Sequence, residues 1–177
     1  MRTDIFIKVL SEVRDPDLMD ADMESAFVLL RNFEARFSRF REGSELSLLN
    51  SSIGPCPVSD DLWGILGRCR EYFNETDGIF DPTVLPLLER EGYAASYGTD
   101  AFGRSEISLS EPKQCSFADV VLDAETRMVT RPSGCRIDLG GIGKGYVVDQ
   151  VAGLLGALYT DFIVDAGGDM RVAGRDR

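Results

Sequence analysis

The sequence predicts an α+β fold, a mixed or antiparallel sheet packed with helices. Three observations carry that expectation. Amphipathic helical patterns dominate the first half of the chain, short β-type runs dominate the second, and the two alternate only in part, unlike a regular βαβ repeat. The chain has 177 residues, room for one domain or two small lobes. A chain of this size buries about 70% of its unfolded surface, so folding requires no metal or disulfide.

Taken in order, Thr3–Leu10 alternates, with Ile5, Ile7 and Val9 on one face, and predicts a strand. The acidic stretch Asp15–Asp22 predicts a turn into a helix capped by Asp20 or Asp22. Met23, Ala26, Phe27, Leu30, Phe33 and Phe37 then form one helical stripe, read as core. Ser44 is a candidate N-cap for a short helix within Arg39–Asn50, and Ser59 caps a second amphipathic helix. That helix presents Leu62, Ile65, Leu66, Cys69 and Phe73 and ends at Gly78. Asp81-Pro82 begins a third, reaching Leu88. Gly92–Ser116 lacks periodicity and reads as a variable loop. Asp119–Leu122 and Met128–Thr130 flank a turn and predict a hairpin, and Cys135–Leu139 predicts a further strand. Gly140–Gly145 (GGIGKG) leads into a helix with Val147, Val148, Val151, Leu154 and Leu155 inward. Phe162–Asp165 is a buried-type strand, turned by Ala166–Asp169 into Met170–Ala173. The organisation expected is a lobe over residues 1–91, a loop over 92–116 and a β-rich lobe over 117–177.

Charge and composition exclude several functions. With 30 Asp+Glu against 19 Lys+Arg the net charge is −11, which argues against a nucleic-acid partner held by its phosphates. The chain contains no histidine, so His-based hydrolase triads and His-ligated zinc sites are out. No window approaches the 18 or so apolar residues of a membrane span, and no signal peptide opens the chain. Cys56, Cys69, Cys115 and Cys135 show no C-x-x-C spacing. Reduced, mostly buried thiols are expected, with one disulfide in an exported protein as the alternative.

Two features invite chemistry. GGIGKG follows a strand and opens a helix, where free N–H groups and the helix dipole favour an anion. It is not a Walker A loop, because Asp138 and Gly145 occupy positions that require Gly and Ser/Thr. Nor is it a dinucleotide fingerprint, since Tyr146 replaces the third glycine. Phosphate binding and close strand–helix packing both remain open readings. The second feature is a set of junction carboxylates, Asp81, Asp138, Asp149, Asp165 and Asp169. They are turn formers or ligands to a polar group, and with no histidine a hard cation such as Mg²⁺ suits them better than Zn²⁺.

Four stretches, in this order, carry a resemblance: FSRFREGSELSLLN (37–50), GIFDPTVLPL (78–87), IDLGGIGKGYVVD (137–149) and VDAGGDMRVAG (164–174). Together they resemble the ApbE-type FAD:protein FMN transferases. The resemblance implies an ApbE-like fold and a magnesium-dependent enzyme. Such an enzyme takes FAD as substrate, attaches FMN to a Ser or Thr of an acceptor flavoprotein and releases AMP. It implies flavin contacts at Met1, Phe40, Ile79, Phe80, Asp81, Asp138 and Lys144, and a carbonyl oxygen from Gly141 on Mg²⁺. In the 1–91 lobe these are the flavin-contact segments, and in the 117–177 lobe the glycine-rich turn lies near the phosphates.

The sequence departs from the family in two places. Arg2 replaces a usual glycine, and the family's Trp-Gly-Phe has no counterpart near Glu89–Gly98. The family's later Asp…Thr pair, which completes the magnesium site and supplies the base, is not among these residues. The expectation is therefore a truncated, catalytically incomplete transferase, the alternative being a non-catalytic FAD-binding module. No catalytic residue is assigned. Self-association through an uncovered strand edge is expected. The location expected is cytoplasmic for the chain as written, exported or membrane-anchored if a leader was removed.

Overall fold

Alternation and helical periodicity place most elements where the sequence puts them. The computed structural model describes residues 3–10, 15–93 and 115–174. Met1 and most of the 92–116 loop lie outside them. The architecture is the predicted α+β class, with antiparallel sheets and helices. It divides into two compact units, Met1–Ala35 with Ile142–Arg177, and Arg36–Gly141. The lobe boundaries expected from composition do not coincide with these, because β1 pairs with a strand from the far end of the sequence.

In the first unit β1 (Ile5–Leu10) runs antiparallel to β5 (Asp161–Ala166), which pairs in turn with β6 (Asp169–Ala173). Strict alternation sends Ile5, Ile7 and Val9 of β1 and Phe162, Val164 and Ala166 of β5 to one face. That face packs on Ala26 and Leu30 of α1 (Pro16–Phe37) and on Val147, Val148, Val151 and Leu155 of α5 (Gly143–Gly156). The acidic stretch proves helical rather than a turn. Proline suits the first helical position, and the Asp15 carboxylate accepts from the Asp17 N–H at 2.9 Å. Asp22, expected as a cap, instead accepts from the Tyr159 hydroxyl at 2.7 Å. The β5–β6 turn needs its glycines. Gly167 and Gly168 have φ of +64° and +98°, and a Cβ on Gly167 would lie 1.9 Å from Thr3 Oγ1.

In the second unit Ser44 caps α2 (Glu45–Ser51) and Ser59 caps α3 (Asp60–Glu75), as predicted. Leu46, Leu49, Leu62, Ile65, Leu66 and Cys69 are buried. At the end of α3, Gly78 (φ +79°) donates its N–H to the Phe73 carbonyl at 2.8 Å, the helix stop its sequence position implies. β3 (Val121–Asp123) and β4 (Met128–Thr130) form the predicted hairpin, and β2 (Cys56–Pro57) joins the other edge of β4. α4 (Leu85–Leu88) is shorter than expected, starting after Thr83 and Val84.

Cys135–Leu139 is not a strand. Among the described residues its one bridge is Arg136 to Val84, and a side chain takes the place of a neighbouring strand. Asn50 accepts from the Ile137 N–H through Oδ1 and donates to the Ile137 carbonyl through Nδ2, both at 2.8 Å. The Arg131 guanidinium is spent nearby on the carbonyls of Leu49, Asn50, Ser52 and Cys135.

The expectation of reduced thiols is corrected in part. Cys115 and Cys135 form a disulfide with Cα atoms 5.5 Å apart, which their spacing of 20 residues could not reveal. Cys56 and Cys69 are free, Cys56 partly exposed and Cys69 buried. Among the described residues no helix is long and apolar enough to cross a membrane.

Two measurements check these assignments. Burial pushes the Cys69 thiol up to about 12, so without reductant a thiol reagent should label Cys56 in the native protein and Cys69 only after unfolding. More than two reactive thiols under denaturing, non-reducing conditions would contradict the disulfide. Asn50→Ala leaves both backbone groups of Ile137 without their partner, and urea denaturation should show a loss of about 1–3 kcal/mol.

Candidate functional site

The geometry centres on Asp138. Its N–H donates to the Pro82 carbonyl at 2.8 Å, joining the GIFDP and IDLGG segments. One carboxylate oxygen, Oδ1, accepts from the Gly140 N–H at 2.7 Å. The other, Oδ2, pairs with Arg39 Nε at 2.6 Å, and the two side chains are only 11% and 12% exposed. The first glycine of the turn is thereby explained, since a Cβ on Gly140 would stand 2.7 Å from Oδ1. Packing, rather than a positive φ, demands it.

Arg39 has two further tasks. Its Nη2 donates to the Tyr93 carbonyl at 2.6 Å, and its guanidinium carbon lies 4.2 Å from the centroid of the Phe40 ring. Phe40 is half exposed, so one side of the ring leans on a cation while the ring as a whole remains accessible. Around the same turn, a Cβ on Gly141 would lie 3.4 Å from Phe80 Cε2. The Phe80 N–H is held by Thr76 Oγ1 at 2.9 Å, and its ring meets Tyr72 edge-on at 6.0 Å between centroids. Tyr72 is itself 43% exposed and Ile79 is 90% exposed. The second unit therefore presents accessible rings and an exposed isoleucine on the segments that flank a glycine turn.

The other predicted residues fare differently. Asp81 is a structural clamp. Its Oδ1 accepts from the Thr83 N–H at 2.8 Å and the Thr83 hydroxyl at 2.6 Å, and its Oδ2 accepts from the Phe117 N–H at 3.1 Å. In the first unit Lys144 Nζ pairs with Asp169 at 2.9 Å, Asp149 with Arg171 at 3.1 Å, and Asp165 accepts from the Gly168 N–H at 2.8 Å. For the five junction carboxylates, turn-forming and ion-pairing roles account for the contacts observed. Met1 lies outside the described residues. No side chain caps α5, whose N-cap is Ile142.

The described residues do not by themselves fit Mg²⁺. No three His, Cys, Asp or Glu side chains among them group where a cation could sit. Gly141 can offer only a carbonyl oxygen, and both oxygens of Asp138 are engaged. An octahedral oxygen set needs more than this. A separate recess of about 380 Å³ is lined by Asn50–Gly54, Arg131, Ser133, Gly134 and Arg136. It contains none of the predicted site residues, and Arg136 is already paired with Glu89.

The reading of the sequence missed Arg39, Tyr72 and Asn50. Arg39 adjoins a predicted contact, and Asn50 ends the first of the four stretches. Nothing in a single sequence pairs either with residues some 90 to 100 positions later.

Comparison with known proteins agrees with the fold. A FAD:protein FMN transferase of Treponema pallidum is 29% identical over 168 residues, covering 87% of this chain and 44% of its own length. The Haemophilus influenzae protein of the same name is 25% identical, covering 99% of this chain and 53% of its own. The chain thus spans about half the length of the curated relatives it matches. The crystal structure of the ApbE protein from Thermotoga maritima superposes with a TM-score of 0.82 at 26% identity, over 98% of this chain and 56% of that one. The flavin transferase ApbE of Vibrio cholerae gives 0.83 at 24% identity, over 100% and 58%, a likeness of fold. The model of the ApbE family matches residues 1–177, and the chain belongs to that family.

Proposed function

We propose that this chain forms the flavin-receiving part of an FAD:protein FMN transferase. In that reading it presents FAD for Mg²⁺-dependent transfer of FMN to a Ser or Thr of an acceptor flavoprotein, with release of AMP. The observation that carries the reading is the turn Asp138–Gly141 flanked by accessible rings. The exposed Phe40 ring lies beside the arginine that grips Asp138, and the partly buried Phe80, which meets the exposed Tyr72, lies beside Gly141. An isoalloxazine ring needs an apolar, aromatic wall, and a diphosphate needs N–H donors with little negative charge close by. Family membership supports the same assignment.

In the transfer, the acceptor oxygen forms a bond to the FMN phosphorus while the bond to AMP breaks, and the hydroxyl proton must leave. Magnesium would neutralise charge on the phosphates. Phe40 and Phe80 would hold the ring, and the glycine turn would bring backbone close to the phosphates. The contacts of Asp81 and Asp138 are those of structural groups, and neither is assigned as the base. A second reading, a module that holds flavin without turnover, draws its support from the same engaged carboxylates.

Quenching of flavin fluorescence measures FAD binding directly. FAD should bind the 177-residue chain, and Gly140→Ala should weaken it about tenfold, because the new methyl forces the Asp138 carboxylate off the turn. Gly153→Ala, on the exposed side of α5 with open space around it, should leave binding unchanged. A wild-type chain with no measurable FAD affinity would overturn the reading. Incubated with FAD, Mg²⁺ and an acceptor flavoprotein, the chain by itself should give no fluorescent acceptor band on a denaturing gel. A band formed at the rate of a full-length relative would show that the described residues do supply a base.

A further inference from the structure

Arg39 is the one cation in direct contact with the Asp138 carboxylate among the contacts described, and nothing above has given it a functional task. Asp138 presents a difficulty for any anion at this turn. It sits two residues before Gly140 and holds that residue's N–H, so its formal charge lies beside the backbone that would face a diphosphate. A carboxylate there would repel the ligand unless its charge were balanced. The structure balances it from one direction, through Arg39 Nε at 2.6 Å, with both side chains almost nine-tenths buried. Burial makes the pairing strong, because little water screens it. The guanidinium is held in place, since Nη2 donates to the Tyr93 carbonyl and Cζ lies 4.2 Å from the Phe40 ring centroid.

From this arrangement we infer that Arg39 is a positioning residue for the diphosphate of the flavin nucleotide. It cancels the charge of Asp138 and locks that carboxylate onto the Gly140 N–H, so that the turn can accept phosphates without repulsion. The inference rests on the flavin reading above and adds to it a residue and a division of roles. Asp138 shapes the backbone and Arg39 removes the electrostatic penalty of using a carboxylate to do so. A lysine could supply the charge but not, in one fixed fork, both the contact to Asp138 and the hydrogen bond to the Tyr93 carbonyl.

The test separates charge from structure by comparing two ligands, FAD, which carries the diphosphate, and riboflavin, which carries no phosphate. In Arg39→Gln, FAD affinity should fall about tenfold or more at low salt, while riboflavin affinity should change by less than about threefold. Adding Asp138→Asn to Arg39→Gln removes the stranded carboxylate and should recover most of the FAD affinity. Arg39→Lys should fall between wild type and Arg39→Gln. Amide hydrogen exchange at Gly140 should quicken in Arg39→Gln, which reports the loosened clamp without any ligand.

Equal losses for FAD and riboflavin, or no loss for either, would overturn the inference while leaving wild-type FAD binding in place. Failure of the double variant to recover FAD affinity would overturn it too. Wild-type protein that binds no FAD would instead overturn the flavin reading and this inference with it. Should Arg39→Gln fail to fold, the double variant and Arg39→Lys carry the same comparison. For Arg39→Lys, an FAD-specific loss supports the inference and an equal loss for both ligands overturns it.

Discussion

The carboxylate of Asp138, gripped on one side by Arg39 and on the other by the Gly140 N–H, is the constraint on which the candidate site depends. A charge this far from water is costly unless it is paired and its remaining oxygen satisfied. Here both conditions hold, and each fixes something different. The ion pair fixes the side chain, the hydrogen bond fixes the backbone that follows, and the glycine is required because any larger residue would collide with the carboxylate. Breaking such a pair by removing one partner typically costs about 3–5 kcal/mol, much of it from the stranded charge. The turn is rigid for electrostatic reasons before it is useful for binding.

The segment that carries Asp138 is braced by side chains instead of a sheet. Residues 135–139 have one backbone bridge, from Arg136 to Val84. Asn50 supplies the donor and acceptor that a strand would have offered Ile137. The disulfide anchors Cys135 to the segment that Asp81 and Thr83 hold through Phe117 and Cys115. Side-chain braces impose a single geometry on a short stretch and leave its neighbour free to turn. A regular ladder would have continued toward Gly140, whose N–H the Asp138 carboxylate holds instead.

The fold was largely legible because its elements obey local rules. Ser44 and Ser59 announce their helices, Gly78 ends α3, and alternation in β1 and β5 marks the buried face. Local rules failed where a distant partner decides. The acidic stretch before Met23 looks like a turn until Pro16 is seen at the first helical position. Cys135–Leu139 looks like a strand until Asn50 is seen in place of a neighbour. The unit boundaries escaped composition because β1 finds its partner near the opposite end of the sequence. At the site, Phe80, Asp138 and Gly141 do come together, as their motifs suggest. Arg39 was invisible because its meaning lies in a contact, and one sequence holds no record of contacts across such a span.

Within each unit the aspartates act on their own neighbourhood. Asp81 accepts three hydrogen bonds, Asp138 one hydrogen bond and one ion pair, and Asp165 holds the turn between β5 and β6. A general base must have a lone pair free to meet a proton, and a ligand to a hard cation must have an oxygen free to meet the metal. At least one oxygen of each of these groups is engaged by a neighbouring N–H, and Asp138 is engaged by Arg39 as well. What they build in exchange is fixed turns, Asp165 holding the one between β5 and β6 and Asp138 the one at Gly140. The acidic residues at these junctions thus serve as architecture, each fixing the backbone of its own unit.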